Sequence, residues 1–298
     1  MEVNATNLGI LRQAVDTRFR NAFRALEKNL YSEFTQTIPM GTEQLDMPML
    51  EQLTGMREWI DDRKVNNLTT QMLTVRARTF ENTYGIPVNA IEDDQYGVYV
   101  SMFDQMAAQA VNLRPDLIEE LLVNAASAKW LDGANFFGTS RKYGKNTINN
   151  YTTSALAQAT FKTAYDAMTA YRGHGDTPLR VKPMYLVHGP ALRWTAISIV
   201  DNPMQAVEGA ALPNPTYGLA KRVEVNNSSL GNKWFLFGEA LAFKPVGYFE
   251  RQRPDRIVRL DRPQDANVFL RDEYLYGCKG RASSAFLLPH LAYFGNVS

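Results

Sequence analysis

Residues 94–129 read DQYGVYVSMFDQMAAQAVNLRPDLIEELLVNAASAK, and the reading of that stretch decides the fold. Val98, Met102, Met106, Ala110, Leu113, Leu117, Leu121 and Ala125 recur every three or four residues, which places them on one helical face. Asp93 or Asp94 offers an N-cap carboxylate and complements the helix dipole. Pro115 removes the amide that would bond to Val111, yet the apolar stripe passes through it in phase. The spacing predicts one kinked helix, or two helices almost end to end. A rod over the 36 residues from 94 to 129 would be about 54 Å long. A compact globule of 298 residues is only about 50 Å across. A rod that long predicts a flat, extended subunit built on a spine.

Composition removes several function classes. The formal charge of +1 gives no basic field to hold nucleic acid and no acidic tail. A hydrophobic content of 45% suits a globular chain with a sizeable core. Cys278 is the single cysteine, so an intramolecular disulfide and a cysteine-rich zinc site are excluded. No apolar run approaches the roughly 18 residues that span a membrane, and residues 1–30 lack the apolar stretch of a secretory signal.

The periodicities give an α+β chain with long non-local returns. Residues 7–31 form an amphipathic helix with Leu8, Leu11, Val15, Phe19, Ala22, Leu26 and Leu30 on one face. A helix on its own core, a membrane-surface helix and an arm docked on a neighbouring subunit all fit that pattern. Residues 36–56 carry Pro39, Gly41, Pro48 and Gly55 among four methionines and read as a linker or an adaptable surface. Residues 57–92 read as a projecting β-hairpin, with Leu73, Val75 and Ala77 in alternation and a turn at Asn66-Asn67. A polar loop runs through Asn150, and a helix is expected over 154–172, capped by Ser154. Met184–Val187 is a buried strand, and Gly189-Pro190 opens a helix. Val223–Val225 and Trp234–Phe237 form a plausible hairpin, and Arg256–Leu260, Val268–Leu270 and Tyr274–Tyr276 are strand candidates.

Chemistry is thin. Gly138–Asn146 is the nearest approach to a phosphate-binding loop. It has five residues between its glycines where that loop needs four, and Asn146 stands where a Ser or Thr would hold magnesium. His174, His188 and His290 lie far apart, and His188 reads as a packed or hydrogen-bonded residue. Glu92-Asp93-Asp94 is most simply a solvated helix start. No catalytic residue, cofactor site or metal site is assigned.

The run Arg57-Glu58-Trp59, then Thr79–Ile86, Glu92–Gly97 and Leu131–Phe137, resembles the Mu-like phage major head subunit (gpT) family. Leu156–Phe161, Tyr185–Val187, Tyr276–Ala282 and Leu291–Tyr293 extend the resemblance over nearly the whole chain. His188-Gly189 departs from the apolar or proline residues the family tends to carry there. The resemblance implies the Hong Kong 97-like capsid fold: an N-terminal arm, an extended β-hairpin loop, a long spine helix, and peripheral and axial domains. On this chain those parts would be 1–35 (arm), 36–93 (extended loop and flanks), 94–154 (spine and peripheral domain), 155–243 (axial domain) and 244–298 (return strands of the peripheral sheet).

The resemblance implies a tailed-bacteriophage major capsid protein, a non-enzymatic structural protein. It would self-assemble as hexamers and pentamers into an icosahedral head, in the host bacterial cytoplasm. Its partners would be scaffold and portal proteins, a decoration or cement protein, and packaged double-stranded DNA held without sequence specificity. Arg57, Glu58, Trp59, Arg63, Arg76 and Arg78 are the expected loop contacts with a neighbour, and Phe19, Phe23 and Leu26 the expected arm contacts. Removing residues 1–35 should then spare the core and harm assembly. The alternative is a nucleotide-binding enzyme using the Gly144-Lys145 loop. Titration with nucleotide should show no saturable binding that Lys145→Ala abolishes; finding it would favour the enzyme.

Overall fold

The computed structural model describes residues 5–27, 31–49, 71–92, 98–143, 146–173, 176–207, 210–240 and 243–297. Helix α1 spans Ala5–Leu26, followed by β1 (Thr35–Pro39), β2 (Gln44–Met49), β3 (Gln71–Arg76), β4 (Arg78–Pro87), α2 (Val88–Glu92) and the long α3 (Val98–Val123). Next come β5 (Arg141–Tyr143), β6 (Asn146–Ile148), β7 (Tyr151–Thr152), α4 (Gln158–Thr169), β8 (Lys182–His188) and α5 (Arg193–Ala196). The chain closes with β9 (Met204–Val207), β10 (Ala210–Pro213), β11 (Lys221–Glu224), β12 (Trp234–Glu239), β13 (Val246–Gln252), β14 (Ile257–Leu260), α6 (Ala266–Arg271), β15 (Glu273–Phe286) and β16 (Ala292–Gly295).

Helix α3 is the spine, and it is shorter than its hydrophobic pattern. Its 26 residues make a rod of about 39 Å. Residues 93–97 lie outside the described residues, and the far end tightens into a 3-10 turn at Ala125–Ser127. Pro115 sits inside one continuous helix. The expected stripe is inside, with Met106, Ala110, Leu117 and Ala125 buried. Phe103, Ala107, Ile118 and Leu122 are buried as well, one step round the helix. The apolar face is wider than the stripe because the spine is covered from two sides.

One cover is a five-stranded sheet ordered β1-β13-β15-β14, with β4 on the opposite side of β15. Tyr274, Tyr276, Cys278, Gly280 and Ala282 alternate inward along β15, the period of a half-buried strand. The spine lies so close that a Cβ at Gly280 would meet Leu113 Cδ2 at 2.6 Å. Arg114 reaches over this sheet. It donates to Thr35 Oγ1 at 3.1 Å and lies 5.2 Å from the centre of the Tyr248 ring.

The second sheet runs β11-β8-β12-β16-β7. Strand β12 is buried on both faces. Phe235 and Phe237 join Phe34, Phe249, Phe286 and Ile118 in a core shared with the first sheet. Trp234 and Leu236 face the other way, into a core closed by Phe161, Ala164 and Met168 of α4. Phe235 stacks on Phe294 with ring centres 4.7 Å apart.

Several expectations are corrected. Val223–Val225 and Trp234–Phe237 do not pair, because β8 lies between β11 and β12. Loop contiguity suggested the hairpin, but burial on both faces made β8 the better neighbour. Val268–Leu270 lies in helix α6, which ends at Asp272 in the left-handed region (φ 50°); so short an apolar run carries no period of its own. The last strand, β16, joins the second sheet and not the first. Helix α4 begins at Gln158, where Thr160 Oγ1 accepts the Ala157 amide at 2.8 Å; Ser154 instead accepts the Trp234 indole N–H through its carbonyl. The polar loop before Asn150 contains the β5–β6 hairpin.

Two substitutions test this packing. A Cβ at Gly295 would lie 2.0 Å from Trp234 Nε1, whereas one at Gly41 meets nothing within 4 Å. Gly295→Ala should therefore cost about 1–3 kcal/mol in denaturant unfolding, and Gly41→Ala about 0.5 kcal/mol or less. A third test uses pH. Burial pushes His188 below its ordinary value and His290 down to about 4. The unfolded chain takes up protons below its ordinary histidine value of about 6.5, so stability should fall as pH drops from about 6.5 toward 4. His290 contributes roughly 3 kcal/mol of this. Burial raises Glu250 and Asp116, which act in the opposite sense at the acid end of that range. Unfolding of the purified protein across pH should show a flatter slope for His290→Gln; an unchanged slope would refute the assignment.

Candidate assembly surfaces

The alternating Leu73 and Val75 lie on a hairpin strand, but its partner comes earlier in the chain than expected. Strand β2 pairs antiparallel with β3 in register from Gln44↔Arg76 to Met49↔Gln71, so the segment read as a linker supplies one strand. Strand β4, placed in the hairpin by the sequence, is instead a full member of the first sheet along β15. The hairpin belongs to neither main sheet. At its root Leu45, Met47, Leu73 and Val75 lean on the shared core. Gln44, Asp46, Thr74 and Arg76 form the other face. There Thr74 donates to Asp46 at 2.6 Å and Arg76 to Gln44 at 3.1 Å. The hydrogen bonds from Thr74 and Gln44 hold the Asp46 carboxyl below its usual range. The hairpin is therefore polar on one face only, and its root is docked.

Arg57, Glu58, Trp59 and Arg63 lie outside the described residues, as does the Asn66-Asn67 turn. Arg76 is exposed on the polar face of the hairpin. Arg78 is engaged within its own subunit: its guanidinium donates to Glu120 on the spine, Nη1 to Oε1 at 3.0 Å, which lowers the Glu120 carboxyl. Both side chains are about half exposed, so the pair is worth under about 1 kcal/mol.

The leading helix folds back on its own spine. Val15, Phe19 and Phe23 are buried with Phe103, Met106 and Ala107, while Leu26 is 43% exposed. Arg18 meets Asp104 at 2.6 Å, Asp16 meets Arg259 at 3.0 Å, and Glu27 pairs with Arg253. In this conformation Phe19 and Phe23 are core residues, and Leu26 is the arm residue left at the surface. Tyr31 and Phe34 belong to the shared core. Truncation at residue 35 would therefore cost the fold as well as any contact between copies, contrary to the expectation from sequence. The apolar stripe alone could not separate a helix docked on its own spine from one docked on a neighbour's.

A polar bracket ties the spine to the second sheet. Glu119 accepts from the Tyr31 hydroxyl at 2.7 Å and from Asn227 Nδ2 at 3.0 Å, and Lys233 donates to the Val123 carbonyl at 2.8 Å. Glu119 is half-buried in this bracket. No sequence spacing pairs it with Tyr31 or Asn227, 88 and 108 residues away.

Of the remaining chemical candidates, His188 and His290 are buried. Gly144 and Lys145 lie outside the described residues. Beside them the Arg141 side chain is 3% exposed and donates to Asp132 at 3.1 Å. His188 Nδ1 is 2.7 Å from the Gly189 carbonyl in the core. His174 is outside the described residues. Among the described residues no group of His, Cys, Asp and Glu is placed to hold a metal, and no helix is long and apolar enough to cross a membrane.

The profile of the family described as Mu-like prophage major head subunit gpT matches residues 8–156, 148–227 and 218–297. The major capsid protein of Escherichia phage Mu is 21% identical over 256 residues, 86% of this chain and 63% of that protein. The Mu-like prophage FluMu major head subunit of Haemophilus influenzae is 20% identical over 256 residues, 86% of this chain and 62% of that protein. The chain thus spans under two thirds of the length of these curated relatives. The procapsid of bacteriophage JBD30 matches with a TM-score of 0.60 at 21% identity, over 98% of this chain and 75% of that one. A virus-like particle from Pyrococcus furiosus matches with a TM-score of 0.54 at 8% identity, over 95% of this chain and 98% of that one. The chain has a Hong Kong 97-like fold and belongs to the Mu-like prophage major head subunit gpT family.

Proposed function

We propose that this chain is a tailed-bacteriophage major capsid subunit, copies of which build the icosahedral head around double-stranded DNA. The family match from residue 8 to residue 297 carries this reading. The hairpin supports it, because a two-stranded element outside both sheets, packed on its own core only along its apolar face, is steadied further by lying on another chain. The role is structural and not enzymatic. Hexamers and pentamers of the subunit would form in the host bacterial cytoplasm with scaffold and portal proteins, and DNA would be enclosed without sequence reading. A decoration protein fits the same scheme, since the JBD30 capsid is described as decorated with minor capsid protein trimers.

The parts take the roles of arm (1–35), extended loop and flanks (36–93), spine and peripheral domain (94–154), axial domain (155–243) and peripheral return (244–298), with β16 crossing back to the axial sheet. Arg57, Glu58, Trp59, Arg63 and Arg76 serve as contacts on a neighbouring copy. Leu26, already at the surface, joins them directly, and Arg78, Phe19 and Phe23 join only where assembly releases their present partners.

Negative-stain microscopy of the purified protein, alone and with the other head proteins, tests the reading. Shells, tubes or capsomer rings are expected; a monomer under every condition would sink it. Trp59→Ala should reduce particle yield while leaving the unfolding midpoint of the free subunit in place, and undiminished yield would remove Trp59 from the contact set.

A further inference from the structure

On the reading that copies of this chain assemble, we propose that the outer face of β14 and α6 is a self-contact patch, meeting the same patch on a second copy. Ile257 and Val268 turn inward, both packed against the core between leading helix and spine. Their neighbours turn outward: Val258 is 66% exposed, Leu260 47%, Phe269 84% and Leu270 73%. Asn267 binds the two elements together, its Nδ2 donating to the Leu260 carbonyl at 3.0 Å and the Glu273 carbonyl at 2.5 Å. Four large apolar side chains are thus held at one place on the surface, where a solitary subunit gains nothing from them.

The patch also has an open edge. Strand β14 pairs with β15 on one side, from Ile257↔Cys278 to Leu260↔Leu275, and among the described residues no strand pairs with its other side. Edge strands invite another chain.

Charge admits a second copy as the occupant. Beside the apolar residues in sequence, the exposed Arg256, Arg262 and Arg271 are balanced by Asp255, Asp265 and Asp272, whereas Arg259 is turned to Asp16 and Asp261 is buried. A rim of one sign would repel its own copy and select an oppositely charged partner. A balanced rim permits like to meet like, each acid facing a base across the symmetry axis. Size fits a lattice. Four side chains supply on the order of 400 Å², half of what one partner gives a stable pairwise interface. The contact is therefore weak singly and effective when repeated.

Two variants of the full chain test this. Phe269→Asp should leave the unfolding midpoint of the free subunit unchanged and lower particle yield roughly tenfold or more. Phe269→Cys, oxidised in assembled particles, should give a disulfide-linked homodimer on non-reducing gels, Cys278 being buried. Wild-type yield from Phe269→Asp, no cross-link, or a cross-link only to another head protein would overturn the proposal. If the unmodified chain forms no particles, the assembly reading fails separately. Oxidation of concentrated free Phe269→Cys subunits then decides the patch: homodimers support it and their absence rejects it.

Discussion

The fold depends on one helix that must bury two faces at once. The N-terminal half of the spine places Phe103, Met106, Ala107 and Ala110 beneath the leading helix and the start of β15. Its C-terminal half places Ile118, Leu122 and Ala125 in the core shared by both sheets. Leu117 lies between, against Tyr248 and Ala282. Each fully buried Leu or Ile contributes roughly 1.5–3 kcal/mol. The larger consequence is geometric: elements from both ends of the chain take their positions from the same rod. Pro115 is accommodated because the packing on either side outweighs the missing backbone bond.

Apolar contact holds the elements together, and polar contact sets their angles. The ion pairs of the leading helix, Arg18–Asp104, Asp16–Arg259 and Glu27–Arg253, are all partly exposed, so each is worth little. Phe19 and Phe23 supply most of the hold. The bracket through Glu119 is more buried. Burial and the Glu119 hydrogen bond push the Tyr31 hydroxyl far above its ordinary value, so it remains a donor. This fixes the base of the leading helix and the Asn227 turn to the same carboxylate.

Much of this was legible in the residues. The alternation of Leu73 and Val75 and the stripe from Met106 to Leu121 each have a period that one element satisfies, and the apolar Met184–Val187 run, placed as a strand, lies in β8. The family resemblance joined those pieces into an architecture that none of them implies alone. The limits were equally physical. Gln44–Met49 carries Pro48 and reads as a breaker, and only pairing with β3 makes it a strand. Val268–Leu270 is too short to show a period. Charge by itself does not distinguish Arg78, held by Glu120, from Arg76 at the surface.

Local pattern by itself determined the spine, the strand alternations and the absence of a recognisable catalytic motif, because these depend on spacings of two to four residues. Tertiary structure decided everything set by competition between distant partners. It put β8 between β11 and β12, β16 in the second sheet, and the leading helix on its own spine. It also left Phe269 and Leu270 in solvent, although their hydrophobicity alone would have placed them inside. Hydrophobicity says that a side chain gains by leaving water; the geometry of the whole chain says which surface receives it, and whether this chain has one to offer.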